Sequence, residues 1–181
     1  RWAPEVAAAI AGIEAPHVVD LAAGSGGFSR WLATRQRAGS HAQAPFRLTS
    51  TDLEPAHVAA GRRLAHGAGL PVDFAVRDAL DLRDLQGTVD LFVCTQSTHH
   101  MPPGMLVRLI HGAVRAARRG ILIVDLMRSA LNVAGAAVVT NLTAPFPPLV
   151  LDGMQSIRRS YTPAELALLA AEHKASLSME A

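Results

Sequence analysis

His17-Val-Val-Asp-Leu-Ala-Ala-Gly-Ser-Gly-Gly-Phe28 reads as an apolar strand carrying Asp20 near its end, then a glycine turn, then the start of a helix. Gly24 and Gly26 let the backbone pass close to a ligand with no Cβ in the way, and the N–H groups at the helix start can bind a carboxylate or phosphate. The order strand, turn, helix is that of a nucleotide-type cradle. A purely structural βα turn is the alternative, because glycine marks turns readily. The dinucleotide pattern G-x-G-x-x-G breaks at its third glycine, where Ser29 stands. Asp20 also places an acid just before the turn, which suits a ligand with a positive amino group better than a pyrophosphate.

Working outward, Phe46-Arg-Leu-Thr-Ser-Thr-Asp52 alternates apolar and polar residues as a second strand and delivers Asp52 at its end. A carboxylate there can accept both ribose hydroxyls; alternatively Asp52 or Glu54 caps the helix that Pro55 opens. A third strand, Val72 to Val76, presents Arg77-Asp78-Ala79, with Asp78 either a ligand contact or a solvated turn acid. Further strands are expected near Val89 and Ile121. Helices are expected at Pro4–Ile13, Gly27–Arg37, Pro55–His66 and Pro103–Arg118. In the last of these Leu106, Leu109, Ile110, Ala113 and Val114 form a core stripe, Arg108, His111, Arg115 and Arg118 the other face, and Gly120 the stop. Alternation of this kind implies βαβ units and a parallel sheet. Thr162-Pro-Ala-Glu165 is a capping box with proline at the first helical position, so a helix to about His173 follows. After it Ala175, Leu177 and Met179 alternate as a sixth strand.

The 181 residues are enough for one domain, half of them are hydrophobic, and the formal net charge is only +2. Basic residues fall in scattered pairs (Arg62-Arg63, Arg118-Arg119, Arg158-Arg159), so nucleic acid is not indicated as the main partner. The single cysteine, Cys94, rules out an internal disulfide and reads as a small buried thiol. No zinc or redox pattern exists, and no metal is expected. The chain begins at Arg1 with no initiator Met, so a preceding segment is expected to be missing; no signal-peptide layout is present, and a cytoplasmic location is expected. The uncharged run Ser129 to Leu151 fails as a membrane span because Asn132, Asn141, Pro145, Pro147 and Pro148 interrupt it. It reads as a helix over Ser129–Thr143 followed by a proline-rich loop: a lid for an apolar substrate within residues 129–161, or ordinary core packing.

The acid, apolar residue and glycine turn at Asp20, Leu21 and Ala22-Ala23-Gly24-Ser25-Gly26 resemble motif I of the class I S-adenosylmethionine (SAM) dependent methyltransferases, with Ala22 in place of the first glycine. Thr98-His-His-Met-Pro102 looks like the L-H-H-L element of the small-molecule, quinone-biosynthesis branch. Val124-Asp-Leu-Met-Arg-Ser129 and Asp152 to Thr162 look like segments of bacterial members associated with polyketide and other secondary metabolism. The N/D-P-P-Y/F/W signature of nucleic-acid and protein methylating enzymes is absent. The resemblance implies a Rossmann-like, doubly wound α/β domain spanning residues 1–181, its N-terminal helix within 1–14. It implies a SAM site made by Asp20, Ala22, Ala23, Gly24, Ser25, Gly26, Asp52, Leu53, Asp78, Ala79, Thr95 and Gln96, with Asp78 on the adenine amino group and Ala79 against the ring. The family's seventh, antiparallel strand is expected to be missing at a trimmed C-terminus.

Methyl transfer from a sulfonium is an in-line displacement for which positioning and desolvation supply most of the acceleration. A hydroxyl acceptor gains from a base, and histidine is the side chain whose ordinary pKa lies nearest neutral. His99 and His100 are the candidates; the alternative is that one packs and the other is solvated. Asp125 reads as a substrate ligand or as the cap of the next helix, and Arg158, Arg159 and Tyr161 as residues of a pocket mouth. The expected function is SAM-dependent methylation of a small, partly apolar organic acceptor, at oxygen, in bacterial secondary metabolism. A non-catalytic SAM-binding or assembly subunit and an NAD-dependent oxidoreductase are the alternatives, and a homodimer is left open.

Overall fold

A computed structural model describes residues 3–39, 45–126, 128, 135 and 155–179, with residues 172–179 as backbone only. Its elements are α1 (Ala3–Ala9), β1 (His17–Leu21), α2 (Gly27–Arg37), β2 (Arg47–Asp52), α3 (Pro55–Gly67), β3 (Asp73–Val76), β4 (Leu91–Thr95), α4 (Pro103–Ala116), β5 (Ile121–Val124) and α5 (Pro163–Met179). Short 3₁₀ turns lie at Arg83–Leu85 and Thr98–His100. Two units are distinguished, one of Arg1–Thr95 with Arg108–Val124, the other of Gln96–Val107 with Asp125–Ala181.

The first unit holds a five-stranded sheet, every pairing parallel, in the order β3-β2-β1-β4-β5. β1 and β4 are central and buried on both faces, which is why Val18-Val-Asp-Leu21 and Leu91-Phe-Val-Cys94 are nearly unbroken apolar runs. β2, on the other side of β1, keeps the alternation that marked it in the sequence. Val6 and Ile10, with Leu32 and Ala33 of α2, pack on Val18, Leu48, Leu91 and Val93 to form the main core. A second cluster joins Val58 and Ala65 of α3 to Phe74 of β3. At the amino ends of the strands the His17 N–H donates to Asp90 Oδ2 at 2.8 Å, and its ring bridges the Thr88 carbonyl and the Thr49 hydroxyl. This pins the start of β1 to both neighbours.

The chain reverses its winding between β1 and β4. In sheets of this kind ligands bind at that switch point, outside the carboxyl ends of the strands. The register brings Leu21 beside Cys94, and Asp52 beside Val76.

Four details differ from the sequence reading. α1 stops at Ala9, with Gly12 at φ 76° closing the turn beyond it. β4 starts at Leu91, Val89 forming only an isolated bridge to Ala117. On α4 Val114 is 39% exposed, and Ala116 takes its place in the buried stripe of Leu106, Leu109, Ile110 and Ala113. The strand expected over Ala175, Leu177 and Met179 is instead the last part of α5. Alanine, leucine, methionine and lysine all favour helix, and alternation over five residues is too short to outweigh that. The lid helix expected over Ser129–Thr143 and the loop after it lie outside the described residues, save Gly135. Among the described residues no helix is long and apolar enough to cross a membrane, and no group of three or more metal-binding side chains occurs.

Candidate functional site

The turn after β1 is built on left-handed backbone at Ala22 (φ 50°), Gly24 (56°) and Gly26 (71°). Ala23 N–H donates to the Thr51 carbonyl at 2.9 Å and Gly26 N–H to the Ala23 carbonyl at 2.9 Å, so the loop folds back over the end of β2. The Asp52 carboxylate then fixes it: Oδ2 accepts from Gly24 N–H at 2.7 Å, and Oδ1 accepts from Glu54 N–H at 3.0 Å and lies 3.3 Å from His57 Nδ1. A carboxylate has about four acceptor positions. The Asp52 side chain, 14% exposed, thus keeps acceptor capacity for a ligand's hydroxyls while bracing the loop. The helix-capping task falls to Glu54, whose Oε1 accepts from Ala56 N–H at 3.2 Å.

A Cβ built on Gly24 meets no atom within 4 Å, so the space above that peptide is open to a ligand. Gly26 is different. A Cβ there would stand 2.7 Å from the Phe74 ring and 2.8 Å from the Ser50 hydroxyl, which makes its glycine a packing requirement. A Cβ on Gly61 of α3 would meet the same ring at 2.4 Å and the Ser25 carbonyl oxygen at 2.6 Å. Loop, β3 and α3 are therefore packed to contact around Phe74.

Asp20 is 1% exposed. Its Oδ2 accepts from the Ser29 hydroxyl at 2.6 Å, while Oδ1 has no hydrogen-bond partner. Burial pushes the carboxyl up to about 7, against a smaller opposing effect of the Ser29 hydroxyl and backbone. Ser29, read from the sequence only as a failed glycine, is thus what orients Asp20.

Asp78 follows β3, its Oδ1 accepting from Leu80 N–H at 2.9 Å in a turn that leaves the side chain exposed. Ala79 beside it is 9% exposed, and Leu53 is 68% exposed. Thr95 ends β4, and Gln96 after it takes a left-handed φ of 52°. Within the first unit Asp20, residues 22–26, Asp52, Leu53, Asp78, Ala79 and Thr95 all fall at or just beyond the carboxyl ends of their strands.

In the second unit His99 is 7% exposed and His100 is exposed, their rings 4.1 Å apart between centroids. His99 Nδ1 lies 2.8 Å from Asp125 Oδ1, and Asp125 Oδ2 accepts from the Thr98 hydroxyl at 2.5 Å and from His99 N–H at 3.0 Å. Burial alone would raise the Asp125 carboxyl, but the Thr98 hydroxyl, the His99 ring and the Leu126 amide hold it below the ordinary carboxylate range. A charged carboxylate only accepts, so a ring hydrogen sits on Nδ1, and Nε2 is the ring nitrogen outside this pair. Asp125 thus orients His99, while the helix it was read as capping lies outside the described residues. The sequence reading missed this pairing across 26 positions, although adjacency of β4 and β5, the strands that precede the two residues, makes it possible.

His99 and His100 line a pocket with Met101, Pro102, Arg128, Arg159, Tyr161 and Glu165. Tyr161 donates its hydroxyl to the Met101 carbonyl at 2.6 Å. The expected capping box is present, with Thr162 N–H donating to Glu165 Oε2 at 2.8 Å and Glu165 N–H to Thr162 Oγ1 at 3.3 Å. Arg158 is exposed and does not line this pocket.

A family profile described as a methyltransferase domain matches residues 18–120, more than half of the chain. The chain belongs to the methyltransferase domain family. Membership indicates SAM as the cofactor, and the open backbone at Gly24, the spare acceptor capacity of Asp52 and the unpartnered Asp20 oxygen are compatible with such a ligand. No curated protein matches the sequence. Among solved structures, the domain is similar to a SAM-dependent methyltransferase from Aquifex aeolicus (14% identity, TM-score 0.64, covering 94% of this chain and 78% of that one). It is similar also to the magnesium protoporphyrin IX methyltransferase of Synechocystis PCC 6803, solved with bound S-adenosylhomocysteine (SAH) (18%, TM-score 0.61, 94% and 70%). A third is the protein of echinomycin biosynthesis that converts a disulfide bond into a thioacetal group (26%, TM-score 0.56, 74% and 56%). The chain spans about half the length of several such structures.

Proposed function

We propose that this domain transfers a methyl group from SAM to a hydroxyl oxygen of a small organic acceptor. The observation that carries the choice of oxygen is the His99–Asp125 pair, 2.8 Å apart, whose histidine lines a pocket. Carbon and nitrogen acceptors with a ready lone pair or carbanion need no such base. When bound, SAM supplies an electrophilic methyl group on a sulfonium. Gly24, Ser25 and Gly26 would hold its amino acid end by backbone groups, Asp52 the ribose hydroxyls, and Asp78 with Ala79 the adenine.

The chain's own chemistry is proton handling. The acceptor's O–H proton passes to His99 Nε2 as the oxygen takes the methyl group, and the imidazolium so formed is stabilised by Asp125 through Nδ1–H. The segments around Val124–Ser129 and Asp152–Thr162 support a place in bacterial secondary metabolism, hence a cytoplasmic enzyme.

Titration calorimetry with SAM, SAH and NADH tests the cofactor: SAH is expected to bind and NADH not to, and Asp52→Ala to weaken SAH about tenfold or more, the loss of a charge-assisted hydrogen-bond pair. Binding of NADH alone would overturn the reading. On a panel of phenols, His99→Ala is expected to lower kcat by about 10²–10⁴-fold, the usual contribution of a general base. Undiminished turnover would leave proximity as the mechanism.

A further inference from the structure

The pocket of the second unit carries an uneven charge that the methyl-transfer reading does not use. Two guanidinium groups line it, those of Arg128 and Arg159. Arg128 is ion-paired with Glu165 Oε1. Glu165 is held below the ordinary carboxylate range, chiefly by the Thr162 backbone N–H and further by Arg128, so its negative charge is committed to that pair and to the capping box. Arg159 is exposed, and among the described residues no carboxylate pairs with it. The other nearby acid, Asp125, is buried behind His99 with Thr98, His99 and Leu126 as its donors. The pocket's polar lining is thereby left with one uncommitted positive charge, set among the apolar surfaces of Met101, Pro102, Pro103 and the Tyr161 ring.

We propose that the acceptor of this site is a hydroxylated carboxylic acid, with an aromatic or aliphatic body, whose carboxylate pairs with Arg159. The inference rests on the methyltransferase reading of the same site. A guanidinium offers a planar fork that matches a carboxylate with two parallel hydrogen bonds. A single surplus charge matches a monoanion; a phosphate dianion would call for a second unpaired cation. The apolar wall takes the body of the molecule, so charge sets orientation while burial supplies affinity.

The test uses the full chain saturated with SAH and two probes of similar shape, anionic 4-hydroxybenzoate and neutral 4-hydroxybenzamide, with Kd measured by calorimetry. The acid is expected to bind at least tenfold more tightly. That preference is expected to fall below twofold in R159Q, to persist in part in R159K, and to remain in R158Q, since Arg158 lies outside the pocket. It is also expected to weaken in 0.5 M salt, as an exposed ion pair must. SAH affinity and the melting temperature of R159Q, measured alongside, establish that the variant is folded. Equal binding of acid and amide, binding of neither, or a preference that survives R159Q overturns the proposal. SAH binding together with any of these outcomes leaves the methyltransferase reading standing, whereas failure to bind SAH removes that reading first.

Discussion

Ala22 shows how one side chain records a compromise at a functional turn. It occupies the first glycine position of the pattern and adopts φ 50°, where a Cβ crowds its own carbonyl at a cost of about 1–2 kcal/mol. Replacing it with glycine relieves that strain, offset in part by the greater freedom of glycine in the unfolded chain. Ala22→Gly is therefore expected to raise stability by about 0.5–1 kcal/mol, read as an upward shift of the urea midpoint with an unchanged slope. A lower midpoint would mean that the Ala22 methyl is a packing contact worth more than the strain. The departure from the motif was legible in the sequence, and so were Asp52 and Gly24; their hydrogen bond was not. Residue identity places a group at a strand end, but only the fold shows that the ribose-binding candidate also fixes the loop. The same holds for Ser29 and Asp20, and for Asp125 and His99: each partner was visible alone, and the pairing depended on which strands lie side by side.

Among elements, α3, β3 and the glycine loop are packed closely around Phe74. Gly61 sits inside α3, where alanine would ordinarily be the better helix former by about 1 kcal/mol. Here the propensity gain is outweighed, because the added methyl would stand 2.6 Å from the Ser25 carbonyl and 2.4 Å from the Phe74 ring. Gly61→Ala is expected to cost about 1–3 kcal/mol, the usual range for overpacking, and to weaken SAH binding although residue 61 is not among the cofactor contacts proposed above. Unchanged SAH affinity in a folded Gly61→Ala protein would show that the loop does not transmit the displacement. Elements whose signals were local were readable in advance: α2 begins and ends where expected, and α5 starts on its capping box. Those decided by packing were not. Val114 fits the apolar period of α4 yet faces outward, since the arc of α4 that is covered centres on Leu109 and Ala113.

For the molecule as a whole, Asp20 ties stability to pH. Its carboxyl titrates near 7 when folded and near its ordinary value of 3.8 when unfolded. Between about pH 4 and pH 7 the folded protein retains a proton that the unfolded chain has released, so stability falls as pH rises through that window. Asp20→Asn removes the titrating group. The stability of the variant relative to the parent is thus expected to improve between pH 5 and pH 8, whatever its sign at either end, by chemical denaturation at the two pH values. An equal difference at both would place the Asp20 titration elsewhere. Saturating SAH is expected to add to stability by mass action, about 2.7 kcal/mol at a hundred times its Kd.

The position of β1 has one more consequence, and it concerns synthesis. β1 lies between β2 and β4, and its pairing with β4 joins residues 73 positions apart, as in the His17–Asp90 contact. The middle strand of the sheet is made early and completed late. At about 5–20 residues per second a ribosome needs several seconds to deliver β4 after β1. Through that interval Val18, Val19 and Leu21 have one hydrogen-bonded edge unfilled and open to wrong partners.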